Sequence, residues 1–234
     1  MAENAYPGKF FVFEGIDGCG KATQTKLLAE YFAKKGYRVE RIDFPRYGER
    51  SAVMFENYLS GKYGSPKEVG PYVASIFIAQ DRYDASFKVR EWLKDGKVVV
   101  CDRWMASNIG HQGGKLISNL KEWKKFVVWL YNLEYGIFNI PKPDYTFILK
   151  TSPEFSIKLN KNLTDKDKIK KREAYLGKGG KDIHKKDKAH FTASLKSYMK
   201  VAKEFPKDFK VIECIKKGKL LPPEIISKKV IENL

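Results

Sequence analysis

The 234-residue chain is poor in cysteine and in histidine, with only three of each. Cys19, Cys101 and Cys214 lie far apart and form no CxxC pair. That argues against a disulfide framework or a zinc ribbon, and the expected setting is a reducing, cytoplasmic one. Long apolar runs are missing as well: no stretch approaches the roughly 18 residues a spanning helix requires. The opening segment, MAENAYPGKFFVFEG, lacks a basic n-region, an apolar h-region and a small-residue cleavage site, so it does not read as a signal peptide. Internal repeats and a linker are absent too, which favours one domain over 1–234. Acidic residues are in deficit, 28 against 45 Lys and Arg, giving a net charge of +17.

What is present supports a packed core, with 43% hydrophobic and 14% aromatic residues. The positive charge is uneven. Residues 158–188 hold twelve Lys and Arg against five Asp and Glu, with Gly177, Gly179 and Gly180 among them. This segment reads as a mobile basic loop, a lid over about 160–186. A solvated lysine face, phosphate binding and nonspecific nucleic-acid attraction all fit such a stretch. Arginine is scarce, so arginines inside motifs stand out, because the planar guanidinium suits bidentate phosphate contact.

The apolar pattern alternates between strand and helix. Lys9–Phe13, Tyr37–Asp43, Lys97–Cys101, Tyr145–Leu149 and Phe209–Glu213 read as five strands, with Lys97–Cys101 apolar on both faces like the centre of a parallel sheet. Helices are expected over 21–35, 50–59, 71–94, 104–110, 121–138, 153–161 and 187–205, and from Pro222 onward. Strands interleaved with helices imply an α/β fold, a five-stranded parallel sheet covered by helices on both faces.

The first strand runs into Gly15-Ile16-Asp17-Gly18-Cys19-Gly20-Lys21-Ala22-Thr23. GxxxxGK between a strand and a helix is a phosphate-binding loop: backbone N–H groups surround a polyphosphate, Lys21 reaches its outer oxygens, and the helix dipole faces the anion. One position departs, since Ala22 stands where a metal-holding Ser or Thr is expected. Thr23 points elsewhere on the helix and does not replace it. Asp17 either takes a hydrogen bond from a sugar hydroxyl, organises a metal or stabilises the turn. Asp102 and Arg103 follow the third strand, at the carboxyl edge where parallel sheets bind ligands. There Arg103 would hold a phosphate and Asp102 would orient it or position a metal-bound water; the alternative is a helix cap with its ion-pair partner. Arg46, in Phe44-Pro45-Arg46-Tyr47-Gly48, and Arg82, in the long helix, supply further cations.

Together GIDGCGKATQ (15–24), DFPRYG (43–48), AQDRY (79–83), VVVCDRWMASNIGHQGG (98–114), PKPDYTFIL (141–149) and SPE (152–154) make the chain resemble the thymidylate kinase family. The resemblance implies a P-loop kinase of three α/β/α layers that phosphorylates dTMP from ATP with Mg2+, as a homodimer. It implies that the loop residues Gly15, Gly18, Cys19, Gly20, Lys21, Ala22 and Thr23 bind ATP. It places Asp17 at the acceptor sugar, Arg103 and Arg46 at the acceptor phosphate, and Asp102 near the metal. Arg82 would meet the thymine carbonyl and Phe44 the base, while Ser107, Asn108 and Gln112 line the base and sugar pocket. His111 falls where the family often has an aromatic against the sugar. The stacking phenylalanine expected four residues before the helix arginine is replaced by Ile78, with Phe77 one residue earlier. A lid cation would complete the site: Arg172, or Lys170, Lys171, Lys178 or Lys181. Asp182 and His184 resemble the segment where the lid rejoins the helix.

Phosphoryl transfer to a phosphate oxygen needs no general base, so none is expected here. On this reading Arg103→Ala cripples acceptor use and Lys115→Ala does little. A second reading keeps the fold and changes the acceptor to another nucleoside monophosphate or a deoxynucleoside, with Glu14 as the base the latter would need. A third is a nucleotide-dependent protein that binds nucleic acid through its lysine face, for which no base-stacking motif or reading helix is evident.

Overall fold

The computed structural model describes residues 6–161 and 188–234. Its centre is a five-stranded sheet of β1 (Lys9–Glu14), β2 (Val39–Asp43), β3 (Val98–Asp102), β4 (Tyr145–Lys150) and β5 (Phe209–Glu213). The order is β2-β3-β1-β4-β5 and every neighbouring pair is parallel. β1 and β3 lie in the interior of this order, so both faces of each must be covered. Accordingly all five residues of β3 are buried, and all of β1 but Lys9.

Alternation along these strands sorts the core into two layers. Phe10, Val12, Val99, Cys101 and Ile148 point to one face, packing against α3 (Pro66–Lys94), α4 (Ala106–His111), α5 (Leu120–Tyr131) and α7 (Lys188–Glu204). Phe11, Phe13, Val100, Phe147 and Leu149 point to the other, meeting α1 (Lys21–Lys34) and α8 (Pro223–Ile231). Each buried aromatic of this kind contributes roughly 2–3 kcal/mol of transfer free energy.

The five strands and the helix order follow the expectation, and several boundaries differ for local reasons. The long helix begins at Pro66 rather than 71, because Ser65 and Glu68 form a capping box there. Gly70, at φ 72, then kinks it before Pro71. The helix expected over 121–138 is α-helical only to Tyr131 and continues as a π-helical turn, Asn132–Ile137, which places Glu134 in the interior. A short helix α2 (Val53–Leu59) and α6 (Pro153–Lys161) complete the set. A two-stranded hairpin, β6 (Ile215–Lys216) with β7 (Lys219–Leu220), adds to the five expected strands; its turn uses Lys217 and Gly218 at positive φ. The basic lid of about 160–186, with Arg172, Lys170, Lys171, Lys178, Lys181, Asp182 and His184, lies outside the described residues save for its first residues.

Candidate active site

The loop after β1 is shaped by glycines in left-handed conformations, Gly15 at φ 136, Gly18 at φ 81 and Gly20 at φ 95. Gly20 is the N-cap of α1, which has neither a side-chain cap nor an acidic residue in its first turn. The free N–H groups of that turn and the helix dipole are therefore available to an anion. Lys21 is buried, and its Nζ donates to the carbonyls of Gly15 at 3.1 Å and Ile16 at 3.0 Å. It also lies 3.7 Å from the Sγ of buried Cys19. Ala22 and Thr23 are exposed, while the hydroxyl of Thr25 donates back to the Lys21 carbonyl.

β3 ends opposite this loop. Arg103 adopts φ 74, a conformation that costs a non-glycine residue roughly 1–3 kcal/mol and is sustained by its surroundings. Its N–H donates to Phe13 and its carbonyl accepts from Cys101 Sγ at 2.8 Å. The result is a guanidinium aimed at the phosphate loop. It pairs with Asp17 and donates to Ser107 Oγ at 3.3 Å and Gly15 O at 3.4 Å. Its Nη1 is also 3.0 Å from His111 Nε2. Burial works against its charge, but Asp17 and the other nearby acidic groups outweigh it and hold the guanidinium in its charged form. Asp102 is nearly buried at the end of β3, and its carboxylate takes no hydrogen bond among the described residues.

Beyond the carboxyl ends of β1 and β3 opens a cleft of about 630 Å³. Asp17, Phe44, Ile78, Arg82, Arg103, Ser107, Asn108, His111 and Gln112, all expected from the sequence, line it together. Arg82 is fully buried and bidentate to Glu134, with Nε and Nη2 each 2.6 Å from a carboxylate oxygen. Its remaining nitrogen, Nη1, is buried without a hydrogen-bond partner among the described residues, and so is Gln112 Oε1. Asn108 spends Nδ2 on the Ser75 carbonyl at 3.1 Å and on Glu134 at 3.3 Å, which leaves its acceptor oxygen as the atom it can offer.

Several residues sit differently from what their motifs suggest. Arg46 is not among the residues that line the cleft: its side chain is held by Asp81 at 2.8 Å, Ser51 at 2.8 Å and Asp84 at 2.5 Å, at the turn after β2. Phe77 turns away to pack on Tyr58 and Tyr63, so the cleft wall at this point is aliphatic, from Ile78. Lys115 is no surface lysine, since its Nζ donates to Tyr58 Oη at 3.0 Å and to the Pro66 carbonyl at 3.3 Å. Burial without a carboxylate partner depresses its pKa to about 8.

Further residues shape the cleft beyond those expected to line it. Tyr47, Phe55, Leu59 and His190 also line the cleft. Glu134 sits 52 positions from the arginine it orients, and only the fold joins them. Glu14 is fully buried and accepts from Trp104 N at 2.8 Å, Ser107 Oγ at 2.7 Å and Tyr198 Oη at 2.9 Å. Burial pushes its carboxyl upward, with Arg103 and these donors acting the other way.

A parallel sheet whose first strand feeds a glycine-lysine loop and whose carboxyl edge carries an arginine-lined cleft defines a P-loop nucleotide kinase. The sequence matches the family model described as "Thymidylate kinase" over residues 13–221. The chain belongs to the thymidylate kinase family. It is 30% identical over 210 residues to the thymidylate kinase of Thermoanaerobacter sp. (strain X514), covering 88% of this chain and 89% of that one. It is 33% identical over 166 residues to a probable thymidylate kinase of Pyrococcus horikoshii, covering 69% and 76%. Among solved structures, thymidylate kinase from Candida albicans superposes with a TM-score of 0.68 at 18% identity, covering 97% of this chain and 90% of that chain. That from Ehrlichia chaffeensis gives 0.63 at 22% identity, covering 97% and 98%.

Proposed function

We propose that this protein transfers the γ-phosphoryl group of ATP to dTMP, giving dTDP and ADP. The observation that carries the acceptor is the unpartnered Arg82 Nη1, buried in the cleft and locked in direction by Glu134. A buried donor left unpaired costs about 1–3 kcal/mol, and a carbonyl oxygen relieves that cost. Gln112 Oε1 and the Asn108 oxygen ask for a donor beside it. A pyrimidine with a carbonyl at C4 and an N–H at N3 meets both demands. Cytosine presents an amino group to the arginine and a bare nitrogen to the acceptors, so it is opposed at both points.

The nucleophile is an oxygen of the acceptor phosphate, so the protein's part is alignment and charge neutralisation. Arg103, held between Asp17 and His111, faces that phosphate, while Lys21 exchanges the Gly15 and Ile16 carbonyls for oxygens of ATP. Asp17 would take a hydrogen bond from the acceptor sugar. Mg2+ would neutralise ATP phosphate charge. Asp102, whose carboxylate takes no hydrogen bond among the described residues, is the carboxylate at this edge that suits it, and among those residues no cluster of three metal-binding side chains competes. A lid cation from 160–186, Arg172 included, would complete the site.

A deoxynucleoside acceptor would instead need a free base. Glu14 is closed in by Trp104, Ser107 and Tyr198 and does not line the cleft, which favours the monophosphate. The remaining proposals are a single catalytic domain, a reducing cytoplasmic setting and a homodimer. The free thiols of Cys19, Cys101 and Cys214 suit the second. Exposed Val73, Phe87 and Val128, on α3 and α5, suit the last. No helix among the described residues is long and apolar enough to cross a membrane. The test is ADP release with dTMP, dUMP, dCMP and thymidine in parallel: dTMP should lead, and turnover led by dCMP or thymidine overturns the reading.

A further inference from the structure

Helix α7 reaches the cleft through its first turn, where His190 lies against His111. The two imidazoles are 5.5 Å apart between centroids and inclined by 24°, with His111 Nδ1 3.3 Å from His190 Nε2. On its other side His111 offers Nε2 to Arg103 Nη1 at 3.0 Å. Donor and acceptor roles along this chain are fixed by chemistry. Arginine has no acceptor atom and keeps its charge, so Nη1 donates and His111 Nε2 accepts. The single ring proton of neutral His111 is then on Nδ1, and it points at His190. His190 Nε2 must therefore accept.

Both nitrogens of His111 are thus in use. The ring is also boxed in: Tyr198 stands edge-on at 6.0 Å and 87°. Burial, followed by the charge of Arg103, favours the neutral ring, with Asp17 pulling the other way and His190 and Lys21 adding to the depression. α7 has little freedom to move away from α4. A Cβ on Gly110 would sit 2.2 Å from the Tyr198 ring, and Ser197 Oγ donates to the Ile109 carbonyl at 2.5 Å. The helix that carries His190 is therefore seated on the helix that carries His111.

We propose that His190 is a positioning residue for the acceptor: it holds His111 as the Nδ1–H tautomer, whose Nε2 secures one edge of Arg103 and keeps the guanidinium turned to the acceptor phosphate. This rests on the dTMP reading of the cleft only for what binds there. The brace itself does not depend on what binds in the cleft. A hydrocarbon ring at 190 could pack in the same place, but it could not accept the Nδ1 proton, and His111 would be free to take the other tautomer and lose its bond to Arg103.

The experiment uses imidazole 15N–1H correlation spectra of the full chain, in which only His111, His184 and His190 contribute. Near neutral pH, His111 is expected to show protonated Nδ1 and unprotonated Nε2. His190→Leu should lose that pattern and raise KM for dTMP roughly five- to tenfold, the worth of about one hydrogen bond, with KM for ATP within twofold of the parent. His190→Gln, whose side-chain oxygen can accept from Nδ1, should restore both the tautomer and most of the affinity. A wild-type His111 found as the Nε2–H tautomer or as imidazolium overturns the proposal. So does a folded His190→Leu protein with unchanged KM, or a Gln variant no better than Leu. If dTMP is not turned over at all, the acceptor reading falls, and the imidazole pattern in wild type and His190→Leu alone supports or overturns the brace.

Discussion

Arg82 and Glu134 meet as a fully buried bidentate ion pair, each contact 2.6 Å, although 52 positions separate them. Two of three guanidinium nitrogens are thereby fixed by the protein, which leaves Nη1 with one direction in which to find an acceptor. The pair thus links the π-helical turn after α5 to the choice of base in the cleft.

Breaking this pair from the carboxylate side strands a buried charge. Glu134→Ala is expected to lose about 3–5 kcal/mol of stability in urea unfolding. Glu134→Gln, which keeps an acceptor oxygen, should lose less and should raise KM for dTMP more than KM for ATP. Equal stability of Glu134→Ala and the parent would contradict the buried pair.

Arg103 carries the charge term at the acceptor phosphate. Arg103→Ala is expected to lower kcat/KM for dTMP by a factor of about 100–1,000, by analogy with the loss of one preorganised donor. Lys121→Ala, at an exposed position on α5, serves as the control and should stay within twofold of the parent. Steady-state kinetics on both variants distinguishes a site arginine from general positive charge.

The α4–α7 contact depends on glycine. Gly110→Ala places a methyl 2.2 Å from the ring of Tyr198, whose hydroxyl donates to Glu14. The expected outcome is destabilisation of about 1–3 kcal/mol, read by thermal or chemical unfolding, with a weaker grip on dTMP. Full stability with unchanged kinetics would show that the two helices separate freely.

Lys115 gives the chain a pH signature on the alkaline side. Its folded pKa is about 8 because of burial, whereas in the unfolded chain it is near 10.5. Between these values the unfolded chain holds the proton and the folded one does not, so stability rises with pH through this window. Relative to Lys115→Met, the wild type should therefore gain at most about 3 kcal/mol between pH 7 and 11. Parallel stability curves for the two proteins would exclude a depressed Lys115.

Much of the architecture is legible in the sequence because it is local. KFFVF and KVVVC are too apolar to be anything but buried strands, and GxxxxGK names its own strand–loop–helix context. The cleft residues within motifs, from Asp17 to Gln112, come together because the motifs end neighbouring parallel strands. The rest depends on distant or unpatterned partners. Glu134 gives no sign that it will turn inward, since a π-helical turn breaks the periodicity that would have placed it. His190 shows nothing until α7 is laid on α4. Arg46 reads as a phosphate ligand from its motif, and only the fold shows Asp81 and Asp84, one turn apart on α3, holding its side chain. Nothing around Lys115 in the chain signals that it lies against Tyr58.

The acceptor cleft is tested most directly by comparing dTMP with dCMP, which carry the same sugar and phosphate and differ at the pyrimidine edge facing Arg82 and Gln112. With ATP and Mg2+ held saturating, coupled ADP release should favour dTMP over dCMP by at least about 100-fold in kcat/KM, because two buried groups are opposed by cytosine. Arg82→Gln should collapse that preference. Comparable turnover of the two acceptors by the wild-type protein would contradict the account at its centre.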